Sequence, residues 1–423
     1  MKPQQPLCRS CGSAALAEII SFGKVPLTAC FPKPSDPVEA ETLFEMELMS
    51  CRQCTLVQIR DTPSPAVIFD ENYPYFSSVS QTLLDASRDF SENIVAQYGL
   101  SERSQVIEIA SNDGYLLQNF LRMGIPAFGV EPTPMAAAKA RDIGVPTIQD
   151  FFSENLAKAL VDEGQQADLI VANNVLAHVP DLNGFVSGIR HLLKADGIAS
   201  LDFGYLIDLL EKLAFDTIYH EHHCYFSLTA LIPLFERNGL EIFHAETIVA
   251  QGGSLRIFAK HQSSSPKQAE SVRDRLVFEA ELGVADGRLL NDFSSRVIEL
   301  VSQISTRLRQ LKADGAKLAC YGAAAKGAML LNAAKLDAAV LDYIVDQNTE
   351  KQGRLMPGVR IPIVSRDVLE SHPPDYLIIL PWNLADEIMS QQKDFAAAGG
   401  QFIIPLPQFR IVDGAGIDRL GPV

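Results

Sequence analysis

Strand-like apolar runs alternate with helical stretches in two separate parts of this chain of 423 residues. The runs in the first part lie within residues 104–117, 127–132, 167–178 and 197–204. Those in the last third lie within residues 316–322, 341–347 and 375–383. Because a strand followed by a helix returns to its sheet as a parallel neighbour through a right-handed crossover, this alternation predicts two parallel sheets. The predicted fold class is therefore α/β with two Rossmann-like units.

A long amphipathic helix separates the two units. Apolar residues recur every three or four positions from Leu290 to Leu311, which places them on one helix face. A polar stretch, KHQSSSPKQ at 260–268, precedes this helix and marks a boundary. These features divide the chain into an N-terminal module (1–72), a first Rossmann-like domain (73–260) and a second one that includes the long helix (261–423).

Four cysteines near the start of the chain form two C-x2-C pairs, which are Cys8 with Cys11 and Cys51 with Cys54. Together they supply the four thiolates of a closed, tetrahedral structural zinc site. The segment between the pairs carries four prolines and little material for a core, so bound metal would supply its folding energy. A thioredoxin-like redox pair is one alternative, but neither pair lies in the βαβ pattern which that requires. A purely apolar role is a second alternative.

The charge balance restricts the partners that this chain can have. Its net charge of −16 argues against nucleic acid or an anionic membrane as a main partner, because both require basic patches. The first residues lack the apolar stretch of a secretory signal, and no run of about 18 apolar residues exists. We therefore expect a cytoplasmic protein with reduced cysteines, without nucleic-acid or membrane partners, present as a monomer or a small homo-oligomer. A small anionic ligand remains compatible with this charge.

The loop after the first Rossmann-like strand, EIASNDG, departs from the dinucleotide fingerprint G-x-G-x-x-G, because only Gly114 is a glycine. This departure argues against a nicotinamide cofactor. Glu131 ends the second strand, where a carboxylate suits a ribose diol, and Asp150 with Phe151 suits an adenine. The pattern resembles class I S-adenosylmethionine (SAM) methyltransferases, whose cofactor has no phosphate. The predicted cofactor-binding residues are Glu108, Ala110, Ser111, Asn112, Gly114, Glu131, Pro132, Asp150, Phe151 and Asn173.

Residues 219–226 read YHEHHCYF, which holds three of the eight histidines of the chain. A zinc protease needs H-E-x-x-H on one helix face, and these histidines do not have that spacing. On a strand His220 and His222 share a face, but a third metal ligand would have to come from elsewhere. Structural histidines are a second interpretation. General acid–base chemistry is the third, because histidine has the side-chain pKa nearest neutrality.

The chain resembles the sugar C-methyltransferases of deoxysugar biosynthesis, which methylate C-3 of nucleotide-linked 4-keto hexoses. The resemblance covers nearly the whole length and includes the two C-x2-C pairs, YPYFSS (73–78), EIASNDG, GVEP, FDTIYHEHHCYFS, GGSLR (252–256), YGAAAKG (321–327), VDQNTEKQGRLMPG (345–358) and LPWN (380–383). It implies that structural zinc and SAM are the bound groups. It also implies a catalytic set, which comprises Tyr219, Glu221, His222, His178 and a tyrosine of the YPYFSS segment, with Tyr75 ahead of Tyr73.

The chemistry implied by the resemblance requires a carbon nucleophile. A keto group acidifies the proton on the neighbouring carbon, His222 removes that proton, and Tyr219, His178 or Tyr75 stabilises the oxyanion. Glu221 orients or polarises the base, and the assignment of the base to His222 or Glu221 stays open. The family often has an aromatic residue after Y-H-E-H, where this chain has His223 and Cys224. We therefore leave the sugar and the methylated carbon open.

The second Rossmann-like unit begins with YGAAAKGAML, which resembles a phosphate-binding loop but lacks its Lys and Ser/Thr. These departures argue against a nucleoside triphosphatase, while an anion site for the diphosphate of a nucleotide-linked keto sugar is expected. The predicted substrate-binding residues are Tyr73, Ser78, Arg256, Lys326, Lys351 and Arg354. Each charged one has the alternative of being a solvated surface charge. Alternative functions are methylation of a non-sugar carbon acid, a nicotinamide-dependent oxidoreductase, and a zinc-headed protein that only binds SAM.

Overall fold

The structure is a computed structural model that describes residues 6–60, 63–68, 76–248, 253–265 and 268–413. The strands are β1 (Leu16–Pro26), β2 (Leu43–Cys51), β3 (Val57–Ile59), β4 (Val106–Ile109), β5 (Ala127–Val130), β6 (Thr147–Ile148), β7 (Ala167–Asn173), β8 (Leu193–Gly204), β9 (Cys224–Tyr225), β10 (Leu240–Ile248), β11 (Ser254–His261), β12 (Leu318–Tyr321), β13 (Ile344–Val345), β14 (Ile363–Val364), β15 (Tyr376–Ile379), β16 (Gln401–Ile404) and β17 (Arg410–Val412). The helices are α1 (Pro65–Ile68), α2 (Gln81–Tyr98), α3 (Leu117–Arg122), α4 (Pro134–Asp142), α5 (Glu154–Asp162), α6 (Leu182–Leu192), α7 (Leu206–Glu211), α8 (Leu228–Arg237), α9 (Glu270–Leu282), α10 (Phe293–Ala313), α11 (Ala325–Ala333), α12 (Asp367–Ser371), α13 (Ala385–Gln391) and α14 (Lys393–Ala397).

The central sheet has seven strands in the order β10-β11-β8-β7-β4-β5-β6. The five strands from β4 to β8 are parallel, as the alternation of strands and helices predicts. They read as continuous apolar runs because helices cover both faces of the sheet and bury both sets of side chains. β10 and β11 add an antiparallel pair beside β8, and the sequence analysis assigned no strand to either.

The C-terminal sheet has six strands in the order β14-β13-β12-β15-β16-β17, and all but β17 pair in parallel. We call residues 316–413, which carry this sheet, the C-terminal unit. Both Rossmann-like units of the predicted fold class are therefore present. The long helix α10 begins at Phe293, three residues after the start of the apolar pattern, because Leu290 belongs to a separate 3-10 turn, Arg288–Leu290.

The N-terminal sheet is antiparallel and has four strands in the order β1-β2-β3-β9. Its fourth strand comes from far along the chain, since Val57 pairs with Tyr225 and Gln58 with Cys224. The sheet has buried residues of its own, among them Met46 and Leu48, but these share a core with α10 and the C-terminal unit. Packing therefore runs across all three units, and the domain boundaries drawn from the sequence remain predictions.

No helix in the described part of the chain combines the length and the apolar character needed to cross a membrane.

Candidate active site

The YHEHHCYF motif lies on a connection between α7 and α8, which we call the histidine segment (residues 215–226). It begins with a 3-10 turn, Phe215–Thr217, and ends with β9. The Leu206 N–H donates to the Phe226 carbonyl at 2.9 Å, which joins the end of the segment to the start of α7. At the start of α8, Glu279 accepts from the Leu228 N–H at 2.7 Å. The C-terminal end of the segment is thereby fixed to α7 and α9.

His222 is held in one orientation by a backbone hydrogen bond. Its Nδ1–H donates to the Thr217 carbonyl at 2.9 Å, since a carbonyl can only accept. The Tyr219 ring lies 4.2 Å and the His178 ring 4.8 Å from the His222 ring, between centroids. The structure therefore brings three of the predicted catalytic side chains together, and Nε2 of His222 is the ring nitrogen left without a proton.

His178 reaches this cluster from the loop that follows β7. It lies in a 3-10 turn after β7, Leu176–His178, and its Nδ1–H donates to the backbone carbonyl of Glu221 at 2.8 Å. Burial lowers the pKa of His178 to about 4. Burial and the neighbouring His178 lower the pKa of His222 well below its usual range. Both rings are therefore neutral at pH 7, the state in which an imidazole accepts a proton.

The other two histidines of the segment contact the N-terminal sheet. His220 packs edge-on against Phe44 of β2, with ring centroids 5.4 Å apart. The backbone of His223 bonds on one side to the Ala177 carbonyl at 2.7 Å and on the other to the Ile59 N–H at 3.0 Å. Among the described residues, the side chains grouped closely enough to hold a metal are the four cysteines alone. The geometry thus gives no support to a metal at the histidine segment.

The loop after β4 forms the floor of the predicted cofactor pocket. Ala110, Asn112 and Gly114 have positive φ angles of 53°, 49° and 80°, which turns the chain sharply before α3. Gly129 of β5 allows this turn to lie against the sheet, because an added Cβ would lie 2.0 Å from Ser111 Oγ. The Ser78 N–H donates to Asp113 Oδ2 at 3.2 Å, which places Ser78 at this loop.

Carboxylates line the same pocket at the carboxyl ends of the parallel strands. Glu108 is buried, and its pKa is raised well above the usual range by burial and by the charges of Glu131, Asp113 and Asp202. Glu131 accepts from the Asn112 N–H at 2.9 Å and from the Thr133 N–H at 2.8 Å. Glu131 therefore shapes the loop by accepting its backbone N–H groups, and Pro132 follows it as the chain turns into α4.

Several buried polar atoms of this pocket have no hydrogen-bond partner within the described chain. They are Glu108 Oε2, Ser111 Oγ, Asp113 Oδ1 and Asn173 Oδ1. Unpaired buried polar atoms are costly, so their concentration at one place fits a polar ligand such as the ribose and amino acid parts of SAM. At the far end of the pocket, Asp150 is exposed and the Phe151 side chain is 39% exposed, as an open adenine site would require.

The two C-x2-C pairs converge to a single cluster. The sulfurs of Cys8 and Cys54 lie 3.4 Å apart, those of Cys11 and Cys51 lie 3.6 Å apart, and all four lie within 4.8 Å of one another. A tetrahedral zinc with Zn–S bonds of about 2.3 Å places its sulfurs about 3.8 Å apart. The donor set and its geometry therefore fit a structural zinc ion.

The C-terminal unit places a lysine beside Trp382, which in turn donates to Asp216 of the histidine segment. Lys326, at the start of α11, donates to Asn383 Oδ1 at 2.8 Å, and its charge acts on His222. Lys351 donates to the Ala323 carbonyl at 2.9 Å, within the YGAAAKG loop. Arg354 reaches the Phe31 carbonyl at 3.4 Å, and so contacts the N-terminal module.

The remaining predicted substrate residues are placed differently. Arg256 of β11 forms an ion pair with Asp202 at 3.1 Å and lies 4.4 Å from the centroid of the Phe90 ring, on the cofactor side. A diphosphate would therefore compete there with a carboxylate. Tyr73 and Tyr75 lie outside the described residues.

Sequence reasoning missed the buried Asp216, which precedes the YHEHHCYF motif, and its hydrogen bond to Trp382. Asp216 stands within FDTIYHEHHCYFS and Trp382 within LPWN, so both motifs were identified without a link between them.

Three family models match consecutive parts of the chain. They are "Putative zinc binding domain" at residues 8–69, "Methyltransferase domain" at 82–245 and "C-methyltransferase C-terminal domain" at 249–407. The C-methyltransferase NovU of Streptomyces niveus is 35% identical over 405 residues, which cover 96% of each protein. The ubiquinone biosynthesis O-methyltransferase of Methylobacterium nodulans is 30% identical over 101 residues, 23% of this chain and 39% of that protein.

Two solved structures show similarity limited to part of the chain. The PH0226 protein of Pyrococcus horikoshii OT3 is 16% identical, covers 44% of this chain and 95% of its own, and has a TM-score of 0.37. A SAM-dependent methyltransferase of Clostridium acetobutylicum is 13% identical, covers 42% of this chain and 92% of its own, and has a TM-score of 0.35.

The central sheet, the polar pocket at its carboxyl edge and the matching methyltransferase domain define a SAM-dependent methyltransferase with a zinc-binding N-terminal module. The relationship to NovU extends over almost the entire length of both chains. The chain belongs to the C-methyltransferase family.

Proposed function

We propose that this enzyme methylates a carbon next to the keto group of a nucleotide-linked sugar, after removing a proton from that carbon. The observation that carries the proposal is the hydrogen bond from His222 Nδ1 to the Thr217 carbonyl at 2.9 Å. Because this bond keeps the proton on Nδ1, the Nε2 lone pair is the one that takes a proton from carbon. SAM supplies the electrophilic methyl group.

The tautomers of the two histidines divide the remaining roles. His178 donates its Nδ1–H to the Glu221 backbone, so its Nε2 accepts hydrogen bonds and does not donate to an oxyanion. Tyr219, with its ring 4.2 Å from that of His222, carries the O–H donor that stabilises the developing enolate oxygen. His178 then accepts a hydrogen bond from a substrate hydroxyl. The same hydrogen bond ties the backbone of Glu221 to His178.

The positive charge of Lys326 supports the same chemistry. Lys326 Nζ lies 4.9 Å from the centroid of the Trp382 ring, and Trp382 donates to Asp216 of the histidine segment, so a positive charge in this neighbourhood would favour the negative charge of an enolate. Lys326 and Lys351 lie on or beside the YGAAAKG loop, where they would meet the diphosphate of a nucleotide-linked substrate. The resemblance to sugar C-methyltransferases supports this substrate class.

The test is incubation in heavy water with a panel of nucleotide-linked keto sugars and simple ketones, first without SAM and then with it. We expect enzyme-dependent deuterium incorporation next to the keto group of a nucleotide sugar, above the rate in enzyme-free samples. Addition of SAM should then convert the same substrate into a C-methylated product, which mass spectrometry and NMR locate.

Two results from the same panel would contradict the proposal. If exchange and methylation were confined to ketones without a nucleotide, the substrate would be a carbon acid other than a nucleotide-linked sugar. Methyl transfer to an oxygen or nitrogen, without exchange at carbon, would show that the reaction does not proceed through an enolate.

A further inference from the structure

Asp216 is a buried carboxylate for which the reaction outlined above has no use. Its side chain is 0% exposed, and Oδ2 accepts a hydrogen bond from Trp382 Nε1–H at 2.8 Å. Oδ1 has no hydrogen-bond partner in the described part of the chain. Burial raises the pKa of Asp216 to about 6 against the opposing effect of Lys326. Burying a carboxylate costs free energy, so neighbouring groups must compensate for the charge of Asp216.

The side chains that compensate for the Asp216 charge belong to the C-terminal unit, and the backbone at Asp216 and Thr217 adds to their effect. Lys326 Nζ lies 4.9 Å from the centroid of the Trp382 ring and donates to Asn383 Oδ1 at 2.8 Å. Burial lowers the pKa of Lys326, while the charge of Asp216 raises it. A tryptophan N–H and an ammonium charge from one unit thus surround a carboxylate from another.

The backbone connects Asp216 to the catalytic candidate. The next residue is Thr217, whose carbonyl accepts from His222 Nδ1 at 2.9 Å and from the Tyr225 hydroxyl at 3.2 Å. The Thr217 hydroxyl donates to the Ala214 carbonyl at 2.7 Å and closes the turn. A shift of residue 216 therefore moves the one acceptor that fixes the tautomer of His222.

We propose that Asp216 is a positioning residue, which the C-terminal unit holds through Trp382 and Lys326 so that the Thr217 carbonyl fixes His222 for proton removal. The C-terminal unit thereby acts on the base itself as well as on the substrate. The role of His222 as the base rests on the proposed function, but the placement of its ring by this contact does not.

Two substitutions separate the hydrogen bond from the charge. Trp382→Phe removes the N–H and keeps an aromatic face for Lys326, whereas Asp216→Asn removes the charge and keeps an acceptor of similar shape. Asp286→Asn, in an exposed ion pair with Arg288, is the matched control. Thermal melts and SAM titration calorimetry establish that each variant is folded and binds the cofactor.

The first measurement is NMR of the protein labelled with 15N at its histidines, with His222 assigned from the spectrum of His222→Gln. We expect the wild type and Asp286→Asn to show a single Nδ1–H tautomer for His222, and Trp382→Phe to show an average of two tautomers. Asp216→Asn should show the same averaging if the charge contributes, and the wild-type spectrum if the hydrogen bond alone acts.

The second measurement is the rate of deuterium exchange into the nucleotide keto sugar that the wild type accepts. We expect Trp382→Phe to reduce it roughly tenfold to a hundredfold, as for other misplaced catalytic groups, with unchanged SAM affinity. An unchanged His222 tautomer in folded Trp382→Phe and Asp216→Asn overturns the proposal. Because the NMR measurement needs no substrate, it stands even where the wild type exchanges no keto sugar and the proposed function fails.

Discussion

Burial determines the protonation state of the histidines around the cleft. It lowers the pKa of His220 to about 4 and that of His223 to about 3, and it shifts His178 and His222 in the same direction. His222 and His178 are both half-buried, and the Nδ1 of each is bonded to a backbone carbonyl, that of Thr217 for His222 and that of Glu221 for His178. A neutral ring with one fixed tautomer is the form that removes a proton from carbon.

His222→Gln should slow proton removal strongly without unfolding the enzyme. We expect the rate of deuterium exchange into the substrate to fall by about 10²- to 10⁴-fold, the usual contribution of a general base. SAM affinity by calorimetry should be unchanged, because His222 lies outside the polar pocket. His372→Gln, at an exposed position of the C-terminal unit, is the control, and wild-type exchange by His222→Gln would transfer the base role to Glu221.

The buried histidines should make stability depend on pH. Between about pH 6.5, the usual histidine pKa, and the lowered values in the folded state, the unfolded chain binds more protons, so acidification destabilises the enzyme. Each such histidine contributes up to about 1.4 kcal/mol per pH unit to the slope. We expect His223→Phe to reduce this slope by about one proton in urea unfolding between pH 7 and pH 5. An identical slope would mean that His223 is protonated in the folded enzyme.

Among the elements, the loop between β4 and α3 depends on the strand next to it. Gly129 of β5 leaves space for Ser111, and the loop then presents the unpaired Ser111 Oγ and Asp113 Oδ1 to the pocket. A methyl group at residue 129 would displace the Ser111 side chain, since the space is already filled.

Gly129→Ala should therefore weaken SAM binding at least about tenfold, which corresponds to about 1.4 kcal/mol. Gly204→Ala is the matched control, because Gly204 also lies near the carboxyl end of a strand of the central sheet and an added Cβ meets nothing within 4 Å. Titration calorimetry measures both variants, with thermal melts to show that they fold. Equal SAM affinity in the two variants would show that the loop tolerates displacement of Ser111.

Across the whole molecule, the zinc-binding module and the active site share backbone pairing. β3 follows Cys51 and Cys54 and pairs with β9, and the Ile59 N–H donates to the His223 carbonyl at 3.0 Å. On its other side the module docks on the central domain, where Asn183 donates to the Ser10 carbonyl at 2.9 Å. The cysteine cluster therefore supports the segment that carries His222.

Cys51→Ser should lose the zinc ion, which elemental analysis should find at about one per chain in the wild type. Loss of a structural zinc costs several kcal/mol of stability, so we expect the Tm to fall by about 10 °C or more. The His222 NMR signal should broaden at the same time. Cys30→Ser, at an exposed cysteine outside the cluster, should retain both zinc and Tm. A zinc-free wild type of full stability would contradict the structural role.

The parts of the fold that the sequence predicted are those with continuous patterns. Buried parallel strands such as β4 and β7 form uninterrupted apolar runs, and α10 shows its buried face at helical spacing. β9 has only two residues and carries no periodic signal, so its membership of the N-terminal sheet follows from tertiary contacts alone. β10 and β11 were missed because their apolar content does not stand out from that of the neighbouring helices.

The candidate site shows the same division. The YHEHHCYF motif identified the segment that carries the histidines. It could not show which ring of the segment is held in one tautomer, because that depends on the hydrogen bond from His222 to the backbone carbonyl of Thr217. The partnership of Asp216 with Trp382 joins residues separated by 166 positions, which no local pattern encodes.

The pairing of β9 with the N-terminal sheet limits how relatives of this enzyme can be recombined. A hybrid that takes residues 1–72 from one protein and the remainder from another would place a foreign β3 against Cys224 and Tyr225 of β9. Enzyme engineers who want to transplant this module should therefore move both pieces of the sheet together, although most of the central domain separates them in the gene.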